Sequence, residues 1–312
     1  MRTCFIAVAV ILGAAVLAAS AAAQRGPIPP PFVREGATVK LGEHSWVIPD
    51  GGVPRVPNVG IVVGSRATLV IDPGLGRRNG ETVLREVGTI SRTAELYIAS
   101  THYHVEHTTG TAAFPASARY VNAAVQEAEF AEGGAAMVTQ FGARSPLDAE
   151  LLSDVVQRKA DITFDREHLL DLGGVRVRLR VVGPTHTRGD TVFFVEGDQV
   201  LFAGDVVMNN SFVAATEQSS MAAWFAAFDL LETWAPRTIV PAHGEVGTGA
   251  LIGVNRGFMQ AIQGRARELK AQGRPEDEVA TTVQKEMQAA HPTFARVNGV
   301  VGAARAAYRE AR

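Results

Sequence analysis

Two kinds of apolar pattern alternate along most of the chain. Short runs of β-branched and aliphatic residues, bounded by Gly, Pro and Asp, predict strands, whereas longer stretches with apolar residues at helical spacing predict helices. The predicted strands span residues 45–48, 59–63, 68–72, 95–100, 162–164, 175–182, 191–195, 200–203 and 238–240. The predicted helices cover residues 79–90, most of 123–160, 222–234 and two or three segments between 252 and 309.

Small-residue turns connect some of these strands directly. The turn at residues 64–67 joins two apolar runs into a predicted hairpin, and residues 172–175 form a second one. Strands and helices recur in two similar blocks, with neither a sequence repeat nor a linker between them. Residues 42–312 are therefore predicted to form one α/β domain of packed sheets with helices outside, closed by C-terminal helices.

The first 23 residues have the layout of a cleavable signal peptide. Arg2 precedes an apolar run at residues 5–18, and small residues around Ala23 form a cleavage site. The run is shorter than the ~20 residues that span a bilayer, although an uncleaved anchor is the alternative. Residues 24–41 then form a proline-rich N-terminal arm. The mature protein is predicted to be periplasmic or secreted, with no membrane span.

Cysteine usage and charge exclude several classes of protein. The one cysteine, Cys4, lies within the predicted signal peptide, so the mature chain has no disulfide and no thiolate ligand. The formal net charge of −2 gives no basic surface for nucleic acid. A small-molecule substrate is the expected partner, and the sequence leaves the oligomeric state open.

Residues 101–107, Thr-His-Tyr-His-Val-Glu-His, hold three of the chain's eight histidines directly after a predicted strand. Imidazole nitrogen and carboxylate oxygen are ligands of Zn²⁺ and similar cations. Positions two apart in an extended segment point the same way, so His102 and His104 can bind one ion. If the chain then turns, Glu106 and His107 can face a second ion.

Three further ligand-type residues, His186, Asp205 and His243, each follow a predicted strand. Each is flanked by Gly or Pro, which permit tight turns and close approach of the backbone. Alone, each would more often be structural. Together with residues 101–107 they predict a metal centre at the ends of several strands.

These motifs resemble the metallo-β-lactamase superfamily, whose signature is a His-x-His-x-Asp-His turn followed by a His, an Asp and a final His at strand ends. The resemblance covers about residues 42–264 and includes the segments 70–74, 189–190, 201–205 and 240–244, together with Gly110. It implies an αββα sandwich in which two mixed β-sheets are flanked by helices and the metals lie between the sheet edges. The turn departs from the signature in one place, because Glu106 stands where the superfamily usually has Asp.

The resemblance also implies a set of ligands and a reaction. His102, His104 and His186 would hold a first ion, and Glu106, His107 and His243 a second, with Asp205 bridging. Two Zn²⁺ per chain are expected, with iron or manganese as alternatives. Such a pair lowers the pKa of a shared water to about 7, and the hydroxide would attack an ester-, lactone-, thioester- or amide-type bond. Glu106 and Asp205 are the predicted catalytic residues, Glu106 by orienting the hydroxide and moving a proton.

The residue at position 205 narrows the resemblance within the superfamily. The commonest true metallo-β-lactamases have a cysteine where this chain has Asp205. The chain is more similar to the glyoxalase II-like, lactonase-like and quinoprotein-associated branches, the last through residues 184–191. The alternatives are a mononuclear iron oxygenase of the persulfide dioxygenase type, a weak or true β-lactamase, and a non-catalytic module in which Glu106 has silenced the centre.

Loop positions suggest supporting residues. Asp72, Thr101 and Asp190 are the predicted residues that fix the tautomers of the ligand imidazoles. The predicted substrate contacts, based on loop position only, are Trp46, Phe141, Asn210 and Phe212, with His44, Met137 and Asn209 as further candidates.

Overall fold

The computed structural model describes residues 29–311, so the predicted signal peptide lies outside the described residues. A seven-stranded sheet forms the first half of the chain. Its strands β1 to β7 follow one another across the sheet and are Val39–Lys40, Ser45–Ile48, Val59–Val63, Ala67–Ile71, Glu95–Ala99, Arg119–Ala123 and Ile162–Phe164. The strands pair antiparallel from β1 to β4 and parallel from β4 to β7.

A six-stranded sheet follows in the order β13-β12-β11-β10-β9-β8. Its strands β8 to β13 are Glu167–Asp171, Arg176–Val181, Thr191–Val195, Val200–Gly204, Thr238–Pro241 and Gly247–Thr248. The pair β11 and β12 is parallel, and the other pairs are antiparallel. Both predicted hairpins, at residues 64–67 and 172–175, are confirmed.

Helices cover the outer faces of the two sheets. Helices α1 to α8 are Gly76–Ile90, Val105–Thr108, Ala124–Gly142, Pro146–Leu151, Met221–Trp234, Ala250–Ala271, Glu276–Ala290 and Gly299–Glu310. None of the helices in residues 29–311 is long and apolar enough to cross a membrane. The prediction of helix up to residue 160 was wrong for its last part, because the helical structure there ends at Leu151.

Each sheet is buried on both faces, one against the other sheet and one against helices, so the domain consists of stacked layers. In β4, Leu69 and Ile71 point into the core between the sheets, while Val70 packs beneath α1. In β11, Phe202 points between the sheets and Leu201 packs against the C-terminal helices. This arrangement confirms the predicted αββα sandwich of two mixed sheets.

Two strands of the first half were not predicted. Strand β6 has only two large apolar residues, Tyr120 and Val121, and its pairing with β5 and β7 holds it in the sheet. Strand β1 lies within the predicted arm. The described part of that arm packs on the domain, since the Val33 amide donates to Asn79 Oδ1 over 2.8 Å.

Candidate metal centre

The predicted ligands converge at one edge of the sandwich. Strands β4 and β5 run parallel, as do β11 and β12, so the loops after these strands open on the same side. The loop after β5 carries residues 102–107, the loop after β9 carries His186, and Asp205 and His243 follow β11 and β12. The topology therefore gathers residues that are up to 141 positions apart in sequence.

The structure divides six of the seven predicted ligands into two groups. Ligand atoms of His102, His104 and His186 lie within 4.8 Å of one another. Ligand atoms of Glu106, His107 and His243 form a second group with the same spacing. The ring centroids of His102 and His107 are 4.1 Å apart, so the two groups adjoin.

Hydrogen bonds orient three of the imidazoles. The Nδ1 atom of His243 lies 2.8 Å from the Val56 carbonyl oxygen, and Nδ1 of His186 lies 2.5 Å from that of Ala214. Nδ1 of His102 lies 3.1 Å from Thr101 Oγ1. These contacts leave Nε2 to face the centre. His104 is turned the other way, with its Nδ1 3.3 Å from His186 Nε2.

Several ligand atoms are buried without a partner. Nε2 of His102, Nε2 of His107, Oε2 of Glu106 and Oδ1 of Asp205 have no hydrogen-bond partner among the described residues. An unsatisfied buried polar atom costs about 1–3 kcal/mol, so such a concentration of these atoms indicates a bound cation. The donor set is nitrogen and oxygen without sulfur, which suits Zn²⁺, Fe²⁺ or Mn²⁺.

Burial and neighbouring charges set the protonation of the histidines. Burial lowers the pKa of His102 and of His104, and together with the charge of Arg296 it lowers the pKa of His243 to about 3. A neutral imidazole is the form that binds a metal. Burial also disfavours the charge of His107, but the carboxylate of Asp72 outweighs it and raises that pKa to about 8. A cation at His107 must therefore displace a proton.

Glu106 lies inside the site despite its extra methylene. It lies in the first turn of the short helix α2 and is 8% exposed. Burial raises the pKa of its carboxyl. Because its oxygen belongs to the second group of ligand atoms, the change from Asp to Glu keeps a carboxylate at this position.

Asp205 directly follows strand β11 and lies between the end of that strand and the ligand groups. Its Oδ2 lies 3.5 Å from His186 Nε2 and 2.5 Å from Arg296 Nη1. Burial disfavours its charge, but the positive charge of Arg296, followed by that of His186, holds the pKa of Asp205 below its usual value. Gly204 permits this approach, because it has φ +58° and a Cβ there would lie 2.9 Å from Cβ of Thr101.

Two of the three predicted supporting residues contact ligand histidines. Asp72 accepts hydrogen bonds from the amide and hydroxyl of Thr101 over 2.7 and 2.8 Å, and its Oδ2 lies 3.0 Å from His107 Nδ1. Thr101 Oγ1 in turn contacts His102. Asp190 makes no hydrogen bond to an imidazole; it accepts from Thr185 and Thr187 and so holds the loop around His186.

Helix α3 supplies two residues that sequence reasoning missed. Gln126 Nε2 donates to the carbonyl oxygens of Thr101 and Gly189 over 3.2 and 3.0 Å. Glu129 accepts from the amides of Arg188 and Gly189 over 2.9 and 2.8 Å. The helix thus ties the first histidine loop to the loop of His186. On a helix rich in Glu and Ala, their spacing alone does not distinguish them from surface residues.

A cavity of about 600 Å³ opens beside the second group and is lined in part by Glu106, His243 and Arg296. Of the four predicted substrate contacts, Asn210 lines it. Trp46, Phe141 and Phe212 do not line it. Of the further candidates, Asn209 lines the cavity, whereas His44 and Met137 do not. Trp46 packs with Lys40, Phe141 packs near Leu75, and Phe212 is buried against Phe258 and Phe294.

Comparisons with known proteins agree with this architecture. The chain is similar to a metallo-beta-lactamase from Pontibacter korlensis (18% identity, TM-score 0.56, 69% of this chain and 94% of that chain) and to the DIM-1 metallo-beta-lactamase (19%, 0.57, 73% and 96%). It also resembles the stereoselective inverting sec-alkylsulfatase Pisa1 from Pseudomonas sp. (14%, 0.64, 88% of this chain), of which it spans half the length. No curated protein sequence matches it significantly.

At these identities the solved structures show a common fold and nothing about the substrate. The sequence itself gives the more specific result. The family model described as Metallo-beta-lactamase superfamily matches residues 52–243, which include all seven predicted ligands. The chain therefore belongs to the metallo-β-lactamase superfamily.

Proposed function

We propose that this protein is an exported hydrolase that binds two zinc ions and cleaves an ester-, lactone-, thioester- or amide-type bond. The observation that carries the proposal is the pair of ligand groups, each with atoms within 4.8 Å of one another. Zinc suits a donor set of nitrogen and oxygen. It also suits hydrolysis, because this reaction requires no redox change of the metal. Export rests on the sequence pattern of residues 1–23.

The residues divide into holding and proton-moving roles. His102, His104 and His186 would hold one ion, and Glu106, His107 and His243 the other, with Asp205 between them. Bound there, the ions would supply a water of lowered pKa and an electrophile for the substrate's oxygen.

Glu106 is the group suited to moving a proton. Its carboxyl is buried beside the second ligand group and lines the cavity, so it is placed to accept a proton from an attacking water. Burial raises the pKa of its carboxyl, and a carboxylate at this position can also return the proton to the leaving group.

Turnover by the mature chain tests the proposal. Zinc-loaded protein, chelator-stripped protein and protein with zinc restored are assayed on an ester, a lactone, a thioester, an amide, a β-lactam and a sulfate ester. We expect at least one carbonyl substrate to be hydrolysed, with activity lost on stripping and recovered with zinc. Turnover of none of these substrates, or oxygen uptake on a persulfide with iron in place of zinc, contradicts it.

His168→Ala provides a matched control for histidine substitutions in this assay. His168 stacks on Phe164 at the far edge of the second sheet, outside both ligand groups. Its replacement should leave the activity intact, whereas His186→Ala should abolish it.

A further inference from the structure

Three guanidinium groups line the cavity beside the second ligand group. Arg55, Arg144 and Arg296 come from three separate parts of the chain, and Glu106 and His243 line the same space. Arg55 pairs with Asp148 and Arg296 with Asp205, whereas Arg144 has no carboxylate partner among the described residues. All three keep N–H donors without a protein acceptor beside a cavity of about 600 Å³, and an anion can accept from such donors. The hydrogen bonds that each guanidinium group already makes show which of its N–H donors remain available for an anion.

Arg55 is held by one edge only. Its Nε donates to Asp148 Oδ1 over 2.8 Å, and its side chain is 12% exposed while that of Asp148 is fully buried. The two Nη atoms make no hydrogen bond to any described residue. The backbone at Arg55 has φ +67°, a conformation that non-glycine residues rarely adopt. The backbone is therefore strained at the residue that carries this guanidinium group.

Arg144 has no carboxylate partner in the part of the chain that the structure describes. Its guanidinium carbon lies 3.6 Å from the centre of the Phe141 ring. Stacking fixes the plane of the group and leaves all five N–H donors available.

Arg296 approaches from the C-terminal helices. The segment between α7 and α8 docks on the loop after Asp205, since the Phe212 amide donates to the Ala295 carbonyl over 3.1 Å. This contact places Arg296 so that Nη1 reaches Asp205, while Nε and Nη2 make no hydrogen bond to a described residue.

None of the three acidic residues that line the cavity forms an ion pair with these arginines. Asp50 accepts from the amides of Gly52 and Gly244 over 2.9 and 2.7 Å. Glu245 is exposed and lies more than 4.0 Å from any basic nitrogen of the described residues. Glu106 belongs to the second ligand group.

We propose that the substrate carries an oxyanion group, separate from the bond that is cleaved, and that Arg55, Arg144 and Arg296 bind it. This inference rests on the proposed hydrolase function and names the substrate class of that site. Guanidinium groups match the planar oxygens of carboxylates and the oxygens of sulfate or phosphate esters, and charge-assisted hydrogen bonds are stronger than neutral ones.

A matched set of acetyl esters tests the proposal. 4-Acetoxybenzoate and 4-acetoxybenzenesulfonate carry an anion, and 4-acetoxybenzamide has nearly the same shape without the charge. We expect kcat/KM for one of the anionic esters to exceed that of the amide by roughly 10- to 100-fold, chiefly through KM. Arg144→Gln should remove most of this preference. Arg77→Gln, which changes an exposed arginine outside the cavity, should keep it.

Equilibrium binding separates this inference from the hydrolase proposal. Calorimetry compares benzoate, benzenesulfonate and benzamide on the same proteins, and preference between the two anions distinguishes a carboxylate from a tetrahedral oxyanion. Binding of an anion that Arg144→Gln weakens supports the inference even if none of the panel substrates is hydrolysed, in which case the hydrolase proposal alone fails. Hydrolysis of the three esters without an anionic preference, or anion affinity unchanged in Arg144→Gln and Arg55→Lys, overturns the inference.

Discussion

Glu106 is the residue at which this site departs from the usual superfamily signature. The structure brings its carboxylate into the second ligand group, where one oxygen is buried without a partner. If Glu106 binds a cation and also moves a proton, each of its two carboxylate oxygens has a separate role. Conservative substitutions can separate these two roles from a merely structural one.

We expect Glu106→Gln to lose the second zinc ion and most of the turnover. A positioned acid–base group contributes roughly 10²- to 10⁴-fold to the rate, so a kcat loss of that size should follow. Glu106→Asp keeps a carboxylate one methylene shorter and should retain part of both functions. Metal analysis with steady-state kinetics measures this; unchanged zinc content and kcat in Glu106→Gln would make Glu106 a bystander.

Gly204 is the residue whose size sets the position of Asp205. An alanine there meets Thr101 and must adopt φ +58°, which costs about 1–3 kcal/mol. Gly204→Ala should therefore lower the free energy of unfolding by that amount and weaken zinc binding. Gly197→Ala is the control, because a Cβ at that turn meets nothing within 4 Å. Equal unfolding midpoints in urea for the two variants would show that the contact is not limiting.

The ligand residues could be predicted because their types and spacing are chemically unusual. His, Asp and Glu directly after apolar strands have few structural uses in such number. The three arginines could not be predicted, since the chain contains many arginines and each of these lies in irregular backbone. Pro292 and Asn298 lie near the two ends of the non-helical segment around Arg296, but neither residue indicates that this segment contacts the site.

At the level of elements, helix α3 connects the two halves of the site. Gln126 binds the loop after β5, and Glu129 binds the loop that follows β9. The sequence predicts this helix from its apolar spacing, but its contacts with two distant loops follow only from the packing of the sheets. The helix therefore positions the loops that carry the ligand-type residues, and it contributes no residue to either ligand group.

Loss of the Glu129 carboxylate should loosen the loop of His186. Glu129→Ala leaves the buried amide of Gly189 and the partly buried amide of Arg188 without an acceptor, which costs about 1–3 kcal/mol. Zinc affinity should fall roughly 10- to 100-fold, as for other residues that support metal ligands. Chelator competition and urea unfolding of the metal-free protein measure the two effects.

Glu132→Ala is the matched control for this variant. Glu132 lies one turn further along α3 and pairs with Arg188 at the surface, where its side chain is 63% exposed. Exposed ion pairs contribute about 0–1 kcal/mol, so both quantities should change little. Equal effects of the two substitutions would contradict the role assigned to Glu129.

At the scale of the whole molecule, apolar runs and turn signals were enough to predict packed sheets with helices outside and both hairpins, whereas the αββα sandwich came from the resemblance to the superfamily. The short strands at the sheet margins were not predictable, because β1 and β13 have two residues each and are held by pairing alone. The C-terminal helices were predicted as helices. The position of Arg296 at the site was not predictable, because it depends on how α7 and α8 pack together.

Export also belongs to this scale and stays a prediction. The charged start, apolar run and small residues before Gln24 are typical of a cleavable signal peptide. N-terminal sequencing of protein from the periplasm or medium of the native cell should give a chain beginning near Gln24. A chain that begins at Met1 and remains in the cytoplasm would contradict this.

The zinc content of single-ligand variants tests the central claim most directly. Elemental analysis should find about two ions per mature chain in the wild type and about one in His102→Ala and in His243→Ala, which each remove a ligand from a different group. His168→Ala should keep about two. A wild-type chain that binds no zinc, or variants that retain the full content, would contradict the account of a dinuclear centre.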